Sequence, residues 1–223
     1  MVKVTWYGHA CFLFEFSGVK ILVDPFISEN PLSPIKVDEL GKVDIILATH
    51  DHADHLGDLV YLANKFNSIT VGVYEFANWL SKKGVKNVIA ANIGGSVHVL
   101  ENVTVKIVPA VHTSSIGAPV GYLISKNNEH VYHAGDTCYH PYMKLIGEMY
   151  SLKLACLPIG GHFTMDVDES VYATVDLKPK YVIPMHFNTF DVIKADVKRF
   201  KKLIEEKTYS KPLILKPGEE IEI

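Results

Sequence analysis

Residues 48–58, ATHDHADHLGD, place three histidines and three aspartates in eleven positions, directly after the apolar run VDIIL. Imidazoles and carboxylates are the side chains that bind metal ions and transfer protons in active sites. Histidines also occur together in solvated loops, so this stretch alone does not distinguish a reactive site from an ordinary loop. The distinction depends on where similar residues lie elsewhere in the chain.

Three further apolar strands predicted from the sequence also end in a histidine or an aspartate. VKIVPAVH ends at His112, HVYHAGD ends at Asp136 and KYVIPMH ends at His186. If these strand ends lie side by side with the end of VDIILATH at His50, their side chains converge at one edge of a sheet. The functional groups would then lie on irregular segments, and the rigid strands behind those segments would hold them in position.

The predicted site contains more donors than one tetrahedral ion can use. A tetrahedral ion takes four ligands, whereas five imidazoles and two carboxylates suit two metals that share a carboxylate and a water. The donors are His50, His52, Asp54, His55, His112, Asp136 and His186. The nitrogen-rich set favours zinc first and manganese second, because carboxylates and water also suit manganese.

THDHADH resembles the HxHxDH motif of the metallo-β-lactamase superfamily, and the later donors follow in the order that family uses. WYGHACFLFE, ILVDPF, HAGDT and PIGGHFTMD are similar to small metal-dependent hydrolases related to ascorbate-6-phosphate lactonase. The resemblance covers residues 1–223 and implies one domain, a four-layer α/β sandwich of the αββα type with the metals at one edge. It also implies the ligand sets, which are His50, His52 and His112 for one metal, Asp54, His55 and His186 for the other, and Asp136 as the bridge.

The resemblance implies a hydrolase that uses a hydroxide held between the two metals, because such metals lower the pKa of water to roughly 7. The substrate class stays open among small-molecule lactones, esters and phosphoesters. Asp54 is a candidate for orienting the water as well as binding metal. His162 is a candidate for contacting or protonating the leaving group; the alternative is a supporting or solvated histidine.

Two other functions are compatible with the same donors. Di-iron redox enzymes of this fold typically have a glutamate at the position of His52, which disfavours that function without eliminating it. A metal-binding protein without catalytic activity is the second alternative.

Further polar residues are expected to support the site. His9 and Asp24 lie at the ends of amino-terminal strands, where they could orient metal-binding histidines or contact substrate. His133 is expected to be a buried supporting residue. Asp51 lies outside the motif and is expected to make a local hydrogen bond that shapes the loop.

The composition excludes several classes of protein. The chain has 223 residues, 48% of them hydrophobic, and a net charge of −3, which does not suit nucleic-acid binding. KRFKK at 198–202 has the spacing of a solvated helix face. No apolar run reaches the roughly 18 residues of a membrane span, no signal peptide is recognisable, and three unpaired cysteines suit a reduced cytoplasmic protein. A homo-oligomer is compatible with the sequence.

Apolar periodicity predicts the elements that must position the donors. Helices are predicted over 55–66, 75–84, 140–150, 167–177 and 191–207. Strands are predicted over 2–7, 11–16, 19–24, 43–48, 68–73, 87–91, 96–100, 103–110, 120–125, 130–135, 152–160, 180–185, 212–216 and 220–223.

Overall fold

Two seven-stranded β-sheets form the centre of the molecule. The computed structural model describes the backbone of residues 1–223 and every side chain except that of Glu101. In spatial order, the first sheet contains β14 (Glu220–Glu222), β1 (Val2–Trp6), β2 (Phe12–Phe16), β3 (Val19–Val23), β4 (Ile45–Leu47), β5 (Ile69–Val73) and β6 (Asn87–Ala91). The second contains β13 (Lys211–Pro212), β12 (Tyr181–Met185), β11 (Leu152–Pro158), β10 (Glu129–His133), β9 (Val120–Lys126), β8 (Thr104–Pro109) and β7 (Ser96–His98).

Helices cover the outer side of both sheets. They are α1 (Ala53–Leu56), α2 (Leu59–Phe66), α3 (Tyr74–Lys82), α4 (Tyr142–Met149), α5 (Val167–Leu177) and α6 (Val197–Lys207). The first sheet is in contact with α2 and α3, and the second with α5 and α6, while α4 packs on α5. The predicted αββα sandwich is therefore confirmed, and each predicted strand has a counterpart.

The inner faces of the two sheets share one hydrophobic core. Alternate residues of the strands point into it because side chains alternate across a sheet; in β2 these are Phe12, Phe14 and Phe16. Tyr122 of β9 crosses between the sheets, and its hydroxyl lies 2.9 Å from each of two acceptors, the carbonyl oxygens of Ala48 and Val71. Ala48 is the first residue of segment 48–58, which we call the histidine-rich loop. The contact with Tyr122 therefore fixes the start of that loop against the second sheet.

The solvated face predicted for KRFKK is found on α6. Phe200 and Ile204 are buried, whereas the lysines and Arg199 are exposed. Arg199 pairs with Asp168 of α5 at 2.6 Å. Among the described residues, none of the helices is long and apolar enough to cross a bilayer.

The helix predicted over 191–207 is longer than the helix that the structure contains. Residues Asp191–Ile193 form a single 3-10 turn, and α6 begins only at Val197. The side chain of Asp196 accepts a hydrogen bond from the amide of Arg199 at 2.9 Å, which is the usual way an aspartate starts a helix. The strand predicted over 212–216 is likewise reduced to Lys211–Pro212.

The helix predicted over 55–66 is divided at Gly57. This residue has φ of +42° and ψ of −124°, a conformation that a side chain strongly disfavours. It also passes close to the chain after β3, because a Cβ at position 57 would clash with the carbonyl oxygen of Pro25 and lie 2.9 Å from Cα of Phe26. Gly57 thus closes the histidine-rich loop against residues 25 and 26.

We expect Gly57→Ala to lower the free energy of unfolding by at least about 2 kcal/mol, because it combines a strained φ with a clash against backbone. Urea unfolding followed by circular dichroism measures this. Gly41→Ala is the matched control, since its φ is ordinary and nothing lies within 4 Å of its Cβ position. Equal stability of the two variants would contradict the role given to Gly57.

Candidate metal centre

The seven predicted donors meet at one edge of the sandwich. The parallel strands β10, β11 and β12 end at the same edge of the second sheet, and the loop after β4 of the first sheet lies against them. Donor atoms that lie within 4.8 Å of one another form three overlapping groups. The groups are His9, Asp54, His55 and His186; His50, His52 and His112; and His50, His55 and Asp136.

The first part of the centre contains the imidazoles nearest β4 and β8. Nε2 of His50 lies 2.9 Å from Nδ1 of His52. The ring of His112 packs edge-on against both, with centroid distances of 5.1 Å and 5.3 Å. Nε2 of His112 lies 3.6 Å from Oδ2 of Asp136. Three imidazoles therefore face one small volume beside a carboxylate.

The second part of the centre lies on the other side of Asp136. Oδ1 of Asp136 is 3.2 Å from Nε2 of His55, and Oδ2 is 3.1 Å from Nε2 of His186. Oδ2 of Asp54 lies 4.0 Å and 3.9 Å from the same two nitrogens. Asp136 consequently touches donors of both parts, as a bridging carboxylate would.

Several buried polar atoms of the centre have no hydrogen-bond partner among the described residues. They include Nε2 of His55, Oδ1 of Asp136 and Nε2 of His186. These atoms are close together, but they do not have hydrogen-bonding geometry. Unpaired buried polar atoms are costly and rare, so atoms that converge in this way fit a shared cation.

The charges of the centre also fit a divalent cation. Among the described residues, no lysine or arginine lies within 4.0 Å of Asp24, Asp54 or Asp136, and their ionic neighbours are histidines. Burial opposes ionisation of Asp136, but His55 and His186 hold its pKa well below the usual value. Burial lowers the pKa of His50 to about 3 and that of His9 to about 4. Ionised carboxylates and neutral imidazoles are the forms that bind metal.

His55 is the exception among the imidazoles. Burial disfavours its charged form, yet Asp136 and Asp24 raise its pKa well above the ordinary value. The two carboxylates on either side therefore attract a positive charge to this ring. A metal bound at Nε2 would satisfy the same attraction.

Asp24 orients His55 from the end of β3. Its Oδ2 lies 2.7 Å from Nδ1 of His55, and the amide and hydroxyl of Thr49 donate to the same carboxylate at 2.7 Å and 3.0 Å. All three residues are buried. A proton on Nδ1 of His55 is thereby held by Asp24, which leaves the lone pair of Nε2 facing Asp136. Thr49 has no distinguishing signal in the sequence, and its contact was not predicted.

His9 lies closer to the donors than the sequence indicates. It is fully buried, and its Nε2 is 3.1 Å from Oδ2 of Asp54. Its Nδ1 is 2.9 Å from the hydroxyl of Thr189, which the sequence did not identify. The amide of His186 donates to the carbonyl of His9 at 3.1 Å. His9 therefore ties the turn after β1 to the loop after β12 and fixes one oxygen of Asp54.

We expect His9→Ala to weaken metal binding by about 10-fold to 100-fold, because Asp54 loses the partner that orients it. Titration of the metal-free protein against a chromogenic chelator measures the change. His98→Ala is the control, since the ring of His98 contacts Thr104 at 3.0 Å, away from the centre. Unchanged affinity in His9→Ala would show that Asp54 needs no such support.

The remaining predicted residues lie outside the donor groups. His162 is exposed, and its ring contacts the ring of Phe163 at 4.4 Å. His133 is buried and uses Nε2 to bond the carbonyl of Ala10 at 2.9 Å.

Asp51 shapes the loop as expected from its position. Its Oδ1 accepts hydrogen bonds from the hydroxyl of Ser114 at 2.7 Å and the amide of Ser115 at 2.8 Å. These bonds join the loop after β4 to the loop after β8, which carries His112.

Comparison with known proteins finds relatives over the full length of the chain. The model of the family described as beta-lactamase superfamily domain matches residues 19–187. A UPF0173 metal-dependent hydrolase from Thermofilum pendens is 47% identical over 100% of this chain and 99% of its own. One from Caldivirga maquilingensis is 46% identical over 98% and 97%. The structure of Igni18, a metallo hydrolase from Ignicoccus hospitalis, is 39% identical with a TM-score of 0.94, covering 99% of this chain and 97% of that one.

Proposed function

The chain belongs to the metallo-β-lactamase superfamily, and from this premise we propose that it is a binuclear metal-dependent hydrolase of a small-molecule lactone, ester or phosphoester. Its relatives are named metal-dependent hydrolases, which supports an enzyme. The observation that carries the binuclear proposal is the position of Asp136, whose two carboxylate oxygens face histidines of both parts of the centre. The narrower resemblance to ascorbate-6-phosphate lactonase stays a prediction.

Each metal has a proposed ligand set. The sets are His50, His52 and His112 for the first ion, Asp54, His55 and His186 for the second, and Asp136 shared by both. Zinc is the first candidate because most donors are imidazoles, and manganese is the second. Two such ions would supply Lewis acidity and hydroxide at neutral pH.

The residues around the ions would position the reacting groups. The Asp54 side chain is 30% exposed, while the side chains of His9 and His55 are fully buried. Asp54 can therefore face an incoming water with one oxygen while His9 holds the other. His162 is exposed on a loop whose residue Met165 bonds the carbonyl of Thr137 at 2.9 Å, next to Asp136. We assign His162 to contact with the leaving group.

Elemental analysis combined with hydrolysis assays tests the proposal. Protein purified without added metal is assayed with p-nitrophenyl acetate, a γ-lactone and bis(p-nitrophenyl) phosphate, before and after chelation, and again after zinc or manganese is restored. We expect close to two ions per chain, with hydrolysis that is lost and regained along with them. Two irons with oxygen consumption would instead establish a redox enzyme. Bound metal without turnover of any substrate would favour a binding protein.

A further inference from the structure

Large apolar side chains are exposed in the loops that surround the metal centre. We refer to residues 48–58, 110–119, 134–141, 159–166 and 186–196 as the rim loops, because each follows a strand that ends at the centre. Their exposed apolar side chains are Val111, Phe163, Phe190 and Val192, between 41% and 55% exposed. Exposed apolar residues that occur singly need no explanation, but several around one site indicate a binding surface.

Val111 and Phe163 are held beside Asp136 by a common anchor, Thr137. The amide of Val111 donates to the Thr137 hydroxyl at 3.0 Å, and Cys138 donates back to the carbonyl of Val111 at 3.2 Å. The carbonyl of Thr137 accepts from the amide of Met165, which attaches the short loop that carries Phe163 to residue 137. The two apolar side chains therefore stand on loops fixed next to the bridging carboxylate.

Phe190 lies on the opposite side, beside His9. Its ring centroid is 5.6 Å from that of His9, in an edge-on arrangement. The loop that carries Phe190 and Val192 is closed by a hydrogen bond of 2.9 Å from the amide of Asn188 to the carbonyl of Ile193. Apolar groups thus flank both parts of the metal centre.

Positive charge is scarce in the rim loops. Lys194 is their only lysine or arginine, and it pairs with Asp191 at 2.7 Å. Asp51, Asp58 and Asp166 add negative charge to the same loops. Binding of a phosphate or carboxylate normally uses arginine or lysine. The metals can offset the charge of the reacting group, but a second anionic group on the substrate would find no unpaired cation here.

We propose that the rim binds an uncharged alkyl or aryl group attached to the reacting bond, so that the substrate is an apolar ester or lactone rather than a sugar phosphate. This inference depends on the proposed function, because the metals must hold the reacting group. The metal ligands determine which bond reacts, whereas this inference concerns the chemical nature of the group attached to that bond.

Hydroxamates of increasing length test the proposal by binding rather than turnover. The probes are aceto-, butano- and octanohydroxamate, with suberic monohydroxamate as a chain of equal length that ends in a carboxylate. Their affinities for the zinc-loaded protein are measured by calorimetry. We expect affinity to rise about twofold to fourfold for each added methylene, since burial of that group is favourable. The terminal carboxylate should remove most of this gain.

Substitutions separate the rim from the metals. Phe163→Ala and Phe190→Ala should flatten the dependence on chain length and leave acetohydroxamate binding unchanged. Tyr209→Ala is the control, because it removes an exposed aromatic ring that follows α6 and lies outside the rim loops. Both phenylalanines are partly exposed, so the variants are expected to fold, and their melting temperatures are measured as a check.

Each unfavourable outcome has a distinct meaning. Affinity that does not depend on chain length, or tighter binding of the carboxylated probe, would overturn the apolar rim while leaving the metal centre intact. A change in oligomeric state of the phenylalanine variants, with unchanged hydroxamate binding, would assign the surface to self-association. Failure of the protein to take up metal would overturn the proposed function and this inference with it.

Discussion

Asp136→Ala is expected to lower the metal content from about two ions per chain to one or none, and to reduce hydrolysis by more than about 100-fold. Loss of a residue that merely orients a ligand typically costs 10-fold to 100-fold, and Asp136 is proposed to bind both ions directly. Its two oxygens lie 3.2 Å and 3.1 Å from imidazole nitrogens of His55 and His186. No other carboxylate among the described residues contacts histidines from both parts of the centre.

Elemental analysis of wild type and variant, purified side by side without added metal, measures the effect. Asp51→Asn is the matched control, because Asp51 lies in the histidine-rich loop but its carboxylate accepts from Ser114 and Ser115, neither of which is a proposed ligand. Thermal unfolding with and without chelator provides a second measurement, since a bound ligand stabilises the folded state. Wild-type stability should fall on chelation, and the variant should respond little. A single ion that is retained equally by wild type and Asp136→Ala would refute the bridge.

The sequence could predict the donors because each occupies a defined place in the pattern of strands. His112, Asp136 and His186 each come at or just after the end of an apolar strand, and strands of one sheet bring such ends together. Periodicity also predicted the individual strands, because it depends on neighbours in sequence, whereas the four-layer sandwich was implied by the resemblance of THDHADH and its flanking motifs to a known family. These features are local, and the structure retains them.

Contacts between distant segments could not be predicted in the same way. Thr49 bonds Asp24, and Thr189 bonds His9 across 180 positions of the chain. Threonine is common in strands and loops, so neither residue stands out in the sequence. The break at Gly57 depends on the nearby carbonyl of Pro25, which periodicity does not reveal. The cytoplasmic location and self-association stay predictions.

Asp24→Asn is expected to weaken binding at the second metal by about 10-fold to 100-fold, although the residue touches no metal in the proposed site. The carboxylate of Asp24 accepts from Thr49 and lies 2.7 Å from Nδ1 of His55. An amide nitrogen in place of Oδ2 would donate to Nδ1 of His55 and move the ring proton to Nε2. The proton on Nε2 of His55 would then point to Asp136 and occupy the direction in which Nε2 is proposed to bind the metal. Chelator competition with the metal-free protein measures the loss.

Asp24→Ala separates this tautomer effect from loss of the buried network. Alanine leaves the amide of Thr49 and Nδ1 of His55 without an acceptor, so we expect unfolding in chelator to require about 3 kcal/mol less free energy than in wild type. Asp24→Asn keeps an acceptor for Thr49 and should lose less stability while binding metal poorly. Asp44→Asn is the control, because Asp44 lies just before β4, at the end of that strand away from the centre, and accepts from the amide of Lys20 at 3.0 Å. Unchanged metal affinity in Asp24→Asn would show that His55 keeps its orientation without Asp24. Weak binding with nearly normal stability would instead show that this buried carboxylate selects which nitrogen of His55 is free to bind metal.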